Sequence, residues 1–419
     1  MNFVKTPVKG TNDFLPADMR LRQAVLAEIR KTYASFGFGE IETPAMEHIE
    51  NLTGKQGGEN EKLIFKIMKR GADLGRALEK GGDLADSGLR YDLTLPLSRF
   101  FACNGDALTS PFKALQIGPV WRADKPQKGR FRQFVQCDID ILGDASILAE
   151  IELVTATSQV LSSLFAKAGI HGFTVHLNDR RILRAMALAA GFPEDKMDVV
   201  FIILDKLDKI GADGVKAELI AAGFEPAAVE TYVGFFAGEA PQSCADYCGK
   251  LPLAFSDPAV PANLDTILNC VKTQVPEDVR LVFDPTLVRG MGYYTGTIFE
   301  ITIDNYNFSI AGGGRYDEMI GKFSGQKVPA CGFSIGFERI ITILKDIPGF
   351  ALGEQPEKIA FLVENGATPE EMLAVFAKAK TLRAEGKTVT VLPMKKNAKF
   401  QIDRLMEDGY ETVERVYRK

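Results

Sequence analysis

Residues 132 to 140 alternate in a way that separates core from chemistry. At strand spacing Arg132, Phe134, Gln136, Asp138 and Asp140 fall on one face, and Val135, Cys137, Ile139 and Ile141 on the other. A face with a guanidinium, a ring, an amide and two carboxylates is not explained by packing, because unpaired charge under a fold is costly. The plain alternative is the solvated side of an edge strand. Against it stands Arg122, which follows an earlier apolar run beside Trp121 and opens a basic loop with Lys125, Lys128 and Arg130. Residues 112 to 143 are therefore expected to form a β-hairpin with a long loop, an anion site next to a stacking platform.

Three further stretches carry chemistry. Asp92 and Thr94 lie two apart, which on a strand would offer one ligand a carboxylate and a hydroxyl; a helix N-cap is the bland alternative. Between residues 281 and 300, Gly290, Gly292 and Gly296 allow close backbone approach around Arg289, Tyr293 and Tyr294. Tyrosines of this kind are often core residues with satisfied hydroxyls. Gly312, Gly313 and Gly314 suggest a turn whose amides could face a ligand. Residues 331 to 340 run from strand into helix and end on Arg339, which could meet a phosphate or merely pair with Glu338.

Composition excludes several classes. The chain has 419 residues, 46% hydrophobic and 25% charged, enough for two or three domains with full cores. A net charge of −5 argues against binding nucleic acid by bulk electrostatics, though not against local contact through the hairpin loop or through Lys395, Lys396 and Lys399. No stretch is long and apolar enough for a membrane span and residues 1 to 10 do not read as a signal peptide, so a cytoplasmic protein with no membrane association is expected. The six cysteines show no framework spacing; Cys244 and Cys248 can share a helix face but lack a second pair to complete a zinc site. His48, His171 and His176 are scattered, so no metal-ligating set is expected.

The elements that would position these groups follow from periodicity. Leu21, Val25, Ile29 and Tyr33 stripe a helix of about five turns that ends at Gly37 and Gly39. A strand over residues 40 to 44 closes on Pro44, which belongs at an edge or interface. Residues 55 to 89, rich in Gly and Asp, read as a loop flanking a strand at 62–68. An amphipathic helix over 150–164 and a strand over 173–177 precede an Ala-rich helical insertion at about 182–255. After a linker, strand, helix, strand and helix at 359–364, 369–385, 388–392 and 398–408 make a small α/β unit.

Taken together, Trp121, Arg122 and Asp124, the loop from Lys125 to Gly129 and the run Arg130 to Phe134 resemble motif 2 of the class II aminoacyl-tRNA synthetases. Helix, Gly-Phe and a strand closing on Pro44 is similar to motif 1, and residues 331 to 340 to motif 3. The stretches from Arg289 to Glu300 and Ala311 to Asp317 resemble the signatures of the histidine-specific family, although Gly292 stands where that family usually has an acid and Asp140 where Glu is common. The resemblance spans residues 9 to about 408. It implies an α+β fold, a class II antiparallel sheet flanked by helices, with a catalytic domain over 1–346, the insertion reaching toward the tRNA acceptor arm, and a shortened anticodon-binding-like α/β domain over 357–419.

The activity implied is ATP-dependent activation of L-histidine to histidyl-adenylate, then transfer to tRNA(His). The alternative is a non-catalytic histidine-binding regulatory subunit of ATP phosphoribosyltransferase, which retention of Arg122, Arg289 and Arg339 argues against. By the same resemblance Arg122 and Arg289 are catalytic, on the α-phosphate and substrate carboxylate. Arg122, Asp124, Phe134 and Arg339 bind ATP, with adenine between Phe134 and Arg339. Asp92, Thr94, Gln136, Asp140, Arg289, Tyr293 and Tyr294 bind histidine, while Lys125 and Gln127 meet the tRNA acceptor end. Magnesium on the phosphates and a homodimer built through motif 1 are implied as well.

Overall fold

The computed structural model describes residues 3–54, 58–127, 129–238, 241–290, 292–306, 308–348, 350, 352 and 356–418. Lys128 and residues 55–57 lie outside them. The chain divides into two compact units, residues 1–351 and 352–419.

The first unit opens with the helix Pro16–Ser35, whose buried stripe is Arg22, Val25, Ile29 and Tyr33; Leu21, expected in that stripe, is only partly covered. Arg22 is an unusual core residue, and its partners explain it. Both oxygens of Glu338 accept from its guanidinium, at 2.6 and 2.8 Å, while the rings of Phe14 and Phe337 lie 3.9 and 4.7 Å from it. Satisfying every face of a buried guanidinium in this way offsets its desolvation.

Strand β1 is Gly39–Ile41, shorter than the sequence suggests, and three short strands follow: β2 Met46–His48, β3 Lys66–Met68 and β4 Ala85–Leu89. The last three form a separate antiparallel sheet in the order β2-β4-β3. The stretch expected to be a loop thus contains a 3₁₀ turn at Gly58–Leu63, the helix Gly71–Lys80 and β4. Its Gly and Asp residues lie largely at the ends of these elements, where they cap and turn the chain: Gly71 and Gly81 both have positive φ.

The hairpin strands β5, Phe112–Trp121, and β6, Gln133–Leu142, pair antiparallel along their whole length from Phe112↔Leu142 to Trp121↔Gln133. The remaining strands of this unit are β7 Phe173–Asp179, β8 Val279–Phe283, β9 Thr297–Thr302, β10 Ser309–Arg315 and β11 Ala330–Gly336. They complete one eight-stranded sheet in the order β1-β5-β6-β11-β10-β9-β7-β8. Every interior pairing is antiparallel, and only the end strands β1 and β8 join parallel. Strand β6 therefore sits inside the sheet, which rules out the solvated edge face considered for residues 132 to 140. Cys137 and Ile139 are fully buried on one side, yet Asp138 and Asp140 on the other are only 3% exposed.

Between β7 and β8 the described residues hold helices and no strand, from Arg180–Ala189 to Val260–Lys272. The helical region thus extends past residue 255. Cys244 and Cys248 sit on its short helix Cys244–Gly249, both buried, with sulfurs 4.0 Å apart. Among the described residues no helix is long and apolar enough to cross a membrane.

The second unit is a parallel sheet of β12 Lys358–Val363, β13 Thr388–Pro393 and β14 Thr412–Val416, in the order β13-β12-β14. Helix Pro369–Ala384, started by a reciprocal Thr368–Glu371 capping box, covers one face through Val375 and Ala379. Helix Ala398–Glu407 covers the other through Leu405. Strand β14 is hard to read from the sequence because its five residues lack period-two alternation: Val413 and Val416 stand three apart with Glu414 and Arg415 between them.

Candidate active site

One end of the site is acidic. Gln136, Asp138 and Asp140 project from the polar side of β6, and the chain entering the helix Thr94–Asn104 brings Asp92 to them. Asp92 and Thr94 do not share a strand face: Asp92 Oδ1 accepts from the Leu95 amide at 3.1 Å and caps that helix, whose first residue is Thr94. The cap uses one oxygen only. Asp92 Oδ2, Gln136 Oε1, Asp138 Oδ1 and Asp140 Oδ2 are all buried acceptors without a hydrogen-bond partner. Native interiors seldom leave such atoms unpaired, so a cluster of them marks a place where a ligand supplies donors.

Electrostatics sharpens this. Burial raises the Asp92 carboxyl and pushes Asp138 well up, Asp138 being raised further by Asp140. Burial pushes Asp140 up to about 7, against the pull of a 2.5 Å hydrogen bond from the Tyr316 hydroxyl. A cation entering this pocket would be held by carboxyls that have few other partners. Tyr293 and Tyr294 wall the pocket with rings 4.7 Å apart, and the Tyr293 hydroxyl is in hydrogen-bonding contact with Thr94 and Tyr294.

The other end is basic. Arg122 donates through Nε to Tyr91 O at 2.9 Å and lays its guanidinium 5.2 Å from the Phe134 ring centroid. Arg289 pairs with Glu300 through Nη1, while its Nε is buried and unpartnered. Arg339 donates to Ser309 O and, at 3.2 Å, to Ser309 Oγ. It does not pair with Glu338, both of whose oxygens are occupied by Arg22. Burial pulls Arg339 down, as do the charges of Arg130, Arg289 and Arg122, with Glu300 opposing. Arginines that repel one another in a partly closed site are suited to a polyanion.

The Arg339 guanidinium lies over the Phe308 ring, at 5.5 Å, and the cation on Phe134 is Arg122. No residue pattern pointed to Phe308, since its proximity arises from the turn between β9 and β10. At the hairpin tip Asp124 stands 3.9 Å from Arg130 and its carbonyl accepts from Arg132 Nε at 3.1 Å. Lys125 and Gln127 are exposed, and Gln127 bridges to Arg130.

The three consecutive glycines are not a turn. They occupy the middle of β10, and the atoms they lack are what make room for the site. A Cβ on Gly312 would fall 2.6 Å from the Arg289 guanidinium, and one on Gly314 would fall 2.8 Å from Tyr294 Cδ1. Across the sheet, a Cβ on Gly332 would run into the Asp140 carboxyl. Gly292 is the opposite case, with nothing within 4 Å of an added Cβ. Arg315, at the end of the same strand, is structural: it is buried against Glu150 and the carbonyls of Asp144 and Ser146.

Several participants escaped the sequence. Asp138 shared the right face but its partners were unknown; Glu300 and Ser334 come from other strands and Tyr316 from just past β10; Asp205, from the helical region, would have Oδ2 3.5 Å from a Cβ added to Gly290 and acts electrostatically on Arg289.

The raised Asp140 carboxyl makes a stability prediction. Between its ordinary value of 3.8 and its folded value of about 7, the folded protein holds a proton that the unfolded chain has released. Stability therefore falls as pH rises through that window, and the penalty is complete above it. Asp140→Asn removes the titration. Its melting temperature relative to the native chain is expected to climb between pH 5 and pH 8, by an amount on the order of 3 kcal/mol in stability. A difference that stays flat with pH would show that Asp140 titrates normally.

Comparison with known proteins fits this geometry. A family model described as histidyl-tRNA synthetase matches residues 10–340. The histidine–tRNA ligase of Leifsonia xyli subsp. xyli is 44% identical, with 97% of this chain and 94% of that protein aligned. A probable histidine–tRNA ligase of Tropheryma whipplei is 43% identical over 88% of this chain and 86% of its own length. Among solved structures, a histidyl-tRNA synthetase from Nostoc sp. PCC 7120 superposes with a TM-score of 0.77 at 28% identity, over 97% of this chain and 90% of that one. A Bacillus halodurans C structure described as an ATP phosphoribosyltransferase regulatory subunit/histidyl-tRNA synthetase gives 0.78 at 19% identity, covering all of both chains and showing the fold alone. The antiparallel sheet with its helices and arginine-lined site is the α+β architecture of a class II aminoacyl-tRNA synthetase. The chain belongs to the histidyl-tRNA synthetase family, which the family match and the identity to its curated members establish.

Proposed function

We infer that the chain is a histidine–tRNA ligase, which uses ATP to convert L-histidine to histidyl-adenylate and then esterifies tRNA(His). The observation that carries the reading is a site with two ends of opposite sign: unpartnered acceptors of Asp92, Gln136, Asp138 and Asp140 at one, and Arg122, Arg289 and Arg339 at the other. An amino acid with a cationic head and a donor-bearing ring fits the first, and a triphosphate fits the second.

In this reading Asp92, Thr94 and Gln136 hold the α-ammonium, while Asp140, Tyr293 and Tyr294 surround the imidazole. A site built from buried acceptors rejects amino acids that cannot donate to them by about 10⁴ to 10⁵. Arg289 and Arg122 draw the substrate carboxylate and the α-phosphate together. The carboxylate oxygen then attacks phosphorus, the bond to the β-phosphate breaks and pyrophosphate leaves. Positioning and charge stabilisation do most of such a transfer, so no side-chain nucleophile is required. Phe134 and Asp124 receive the nucleotide, with Arg339 on the terminal phosphates.

Magnesium is expected to arrive with those phosphates and would supply neutralising charge there. Among the described residues no group of three or more His, Cys, Asp or Glu could hold a metal ion, so the phosphate oxygens themselves would be its main ligands. Lys125 and Gln127, exposed at the hairpin tip, would meet the acceptor end of tRNA. We assign catalysis to residues 1–346, the anticodon-binding-like role to 357–419, and a homodimer contact to the helix Pro16–Ser35 with β1, in a cytoplasmic protein.

The test is exchange of labelled pyrophosphate into ATP across all twenty amino acids, followed by charging of tRNA(His). Exchange with histidine alone is expected. Histidine binding without exchange would replace this reading by the regulatory-subunit alternative.

A further inference from the structure

Asp138 is the one member of the acidic cluster whose neighbours explain something other than ligand contact. On β6 the register sets Gln136 between Gly118 and Gly336, and Asp140 between Ala114 and Gly332. None of these four carries a polar side chain, and the Arg90 guanidinium occupies the space over Gly118. Asp138 is flanked instead by Gln116 and Ser334, two polar side chains. Gln116 is fully committed elsewhere, donating to Leu93 O and accepting from Thr43 Oγ1. Ser334 is not: its Oγ accepts from Gln136 Nε2 at 3.0 Å and hydrogen-bonds Asp138. Gln136 Nε2 also points at Asp138 Oδ2, 3.5 Å away. The amino group of Gln136 thus faces Ser334 and Asp138, and its carbonyl oxygen is left buried, unpartnered and turned from them.

A glutamine amide can present either end, and its environment selects which. If the amide were reversed, a donor would confront the amino acid's ammonium group, replacing an attraction by a repulsion. We propose that Asp138 is a positioning residue: with Ser334 as its bridge, it fixes the Gln136 amide so that the carbonyl oxygen meets the ammonium group of the bound amino acid. The proposal rests on the reading of the site given above and adds the residue that sets its polarity. Asp138 acts on the amino acid through Gln136.

The test compares Asp138→Asn, Ser334→Ala and the double variant Gln136→Glu with Asp138→Asn. With the ammonium group bound, its charge favours the ionised Asp138 carboxylate, which only accepts; asparagine at 138 offers a donor of the same size there, which invites the Gln136 oxygen inward and turns its amino group to the ligand. In the double variant the carboxylate at position 136 has oxygens at both ends, so orientation no longer matters and the new amide at position 138 can donate to the inner one. Histidine affinity is measured by calorimetry on each full-length chain, and histidine-dependent pyrophosphate exchange beside it.

Asp138→Asn is expected to weaken histidine about ten- to a hundredfold, with the KM for ATP little moved, and the double variant to regain most of that loss. Ser334→Ala is expected to lose a smaller factor in the same direction, and it carries the test should Asp138→Asn fail to fold. Native affinity in the folded single variants, or a double variant no better than Asp138→Asn alone, would overturn the proposal. Because affinity is read without turnover, a native chain that binds histidine but exchanges nothing would remove the ligase reading while leaving this comparison intact.

Discussion

Arg289→Ala should lower histidine-dependent pyrophosphate exchange by about a thousandfold, since removing one preorganised charge from a reacting centre costs about 10² to 10³ and Arg289 is placed to serve both the carboxylate and the α-phosphate. Most of the loss should fall on kcat, because that charge matters most as negative charge redistributes in the transition state. The fold should survive. Arg289 and Glu300 keep 23% and 25% of their side chains exposed, so the orphaned Glu300 can be solvated without disrupting β9. Near-native exchange in a folded Arg289→Ala would remove Arg289 from the mechanism. A variant that melts early would instead make the Glu300 pair a folding requirement, a distinction that circular dichroism on the same sample resolves.

The second large effect should come from a single methyl group. Gly332→Ala places a Cβ against the Asp140 carboxyl, with the Asp140 Cγ at 2.9 Å and the Tyr316 ring at 3.2 Å. Neither strand can yield, because β11 is paired on both sides, to β6 through residues 330–336 and to β10 through residues 331–335. Asp140 must rotate, losing the Tyr316 hydrogen bond and the placement of its free oxygen. Overpacking of this kind costs about 1–3 kcal/mol of stability. Histidine affinity should fall about a hundredfold, as expected for losing a buried hydrogen bond to a charged group. Gly292→Ala is the control, with open space around its Cβ, and its stability should stay within about 0.5 kcal/mol of native. Unchanged histidine binding by Gly332→Ala would mean that Asp140 does not hold the ring.

Both predictions depend on residues whose importance reads differently in one dimension and in three. Arg289 stood out in the sequence because glycines and tyrosines surround it in a stretch that resembles a family signature. Gly332 did not stand out at all, and Gly312 to Gly314 suggested a turn. What they do became visible only when β10 and β11 were paired and the missing Cβ atoms were seen to lie where Arg289, Tyr294 and Asp140 must pass. Asp92 and Thr94 show the converse error. Their spacing fitted a strand face, yet the apolar run after them, Leu95 to Leu97, is helical, and a carboxylate before such a run satisfies a free amide.

What the sequence determined by itself is the local grammar and the inventory of chemistry. Period-two alternation along β6 is written in residue types, as is the 3.6-residue stripe of the helix Pro16–Ser35, and so were the arginines, carboxyls and tyrosines that the site uses. Tertiary structure decided which of those groups meet. Arg22 claims Glu338 from 316 residues away and so leaves Arg339 for an anion; Tyr316 reaches Asp140 across 176 residues; Arg339 lies over the Phe308 ring. The reason is physical. Periodicity reports which face of an element is buried, whereas charge pairing, amide orientation and the room left by an absent Cβ depend on the neighbour that strand order brings alongside, and that order is fixed by the packing of the whole sheet.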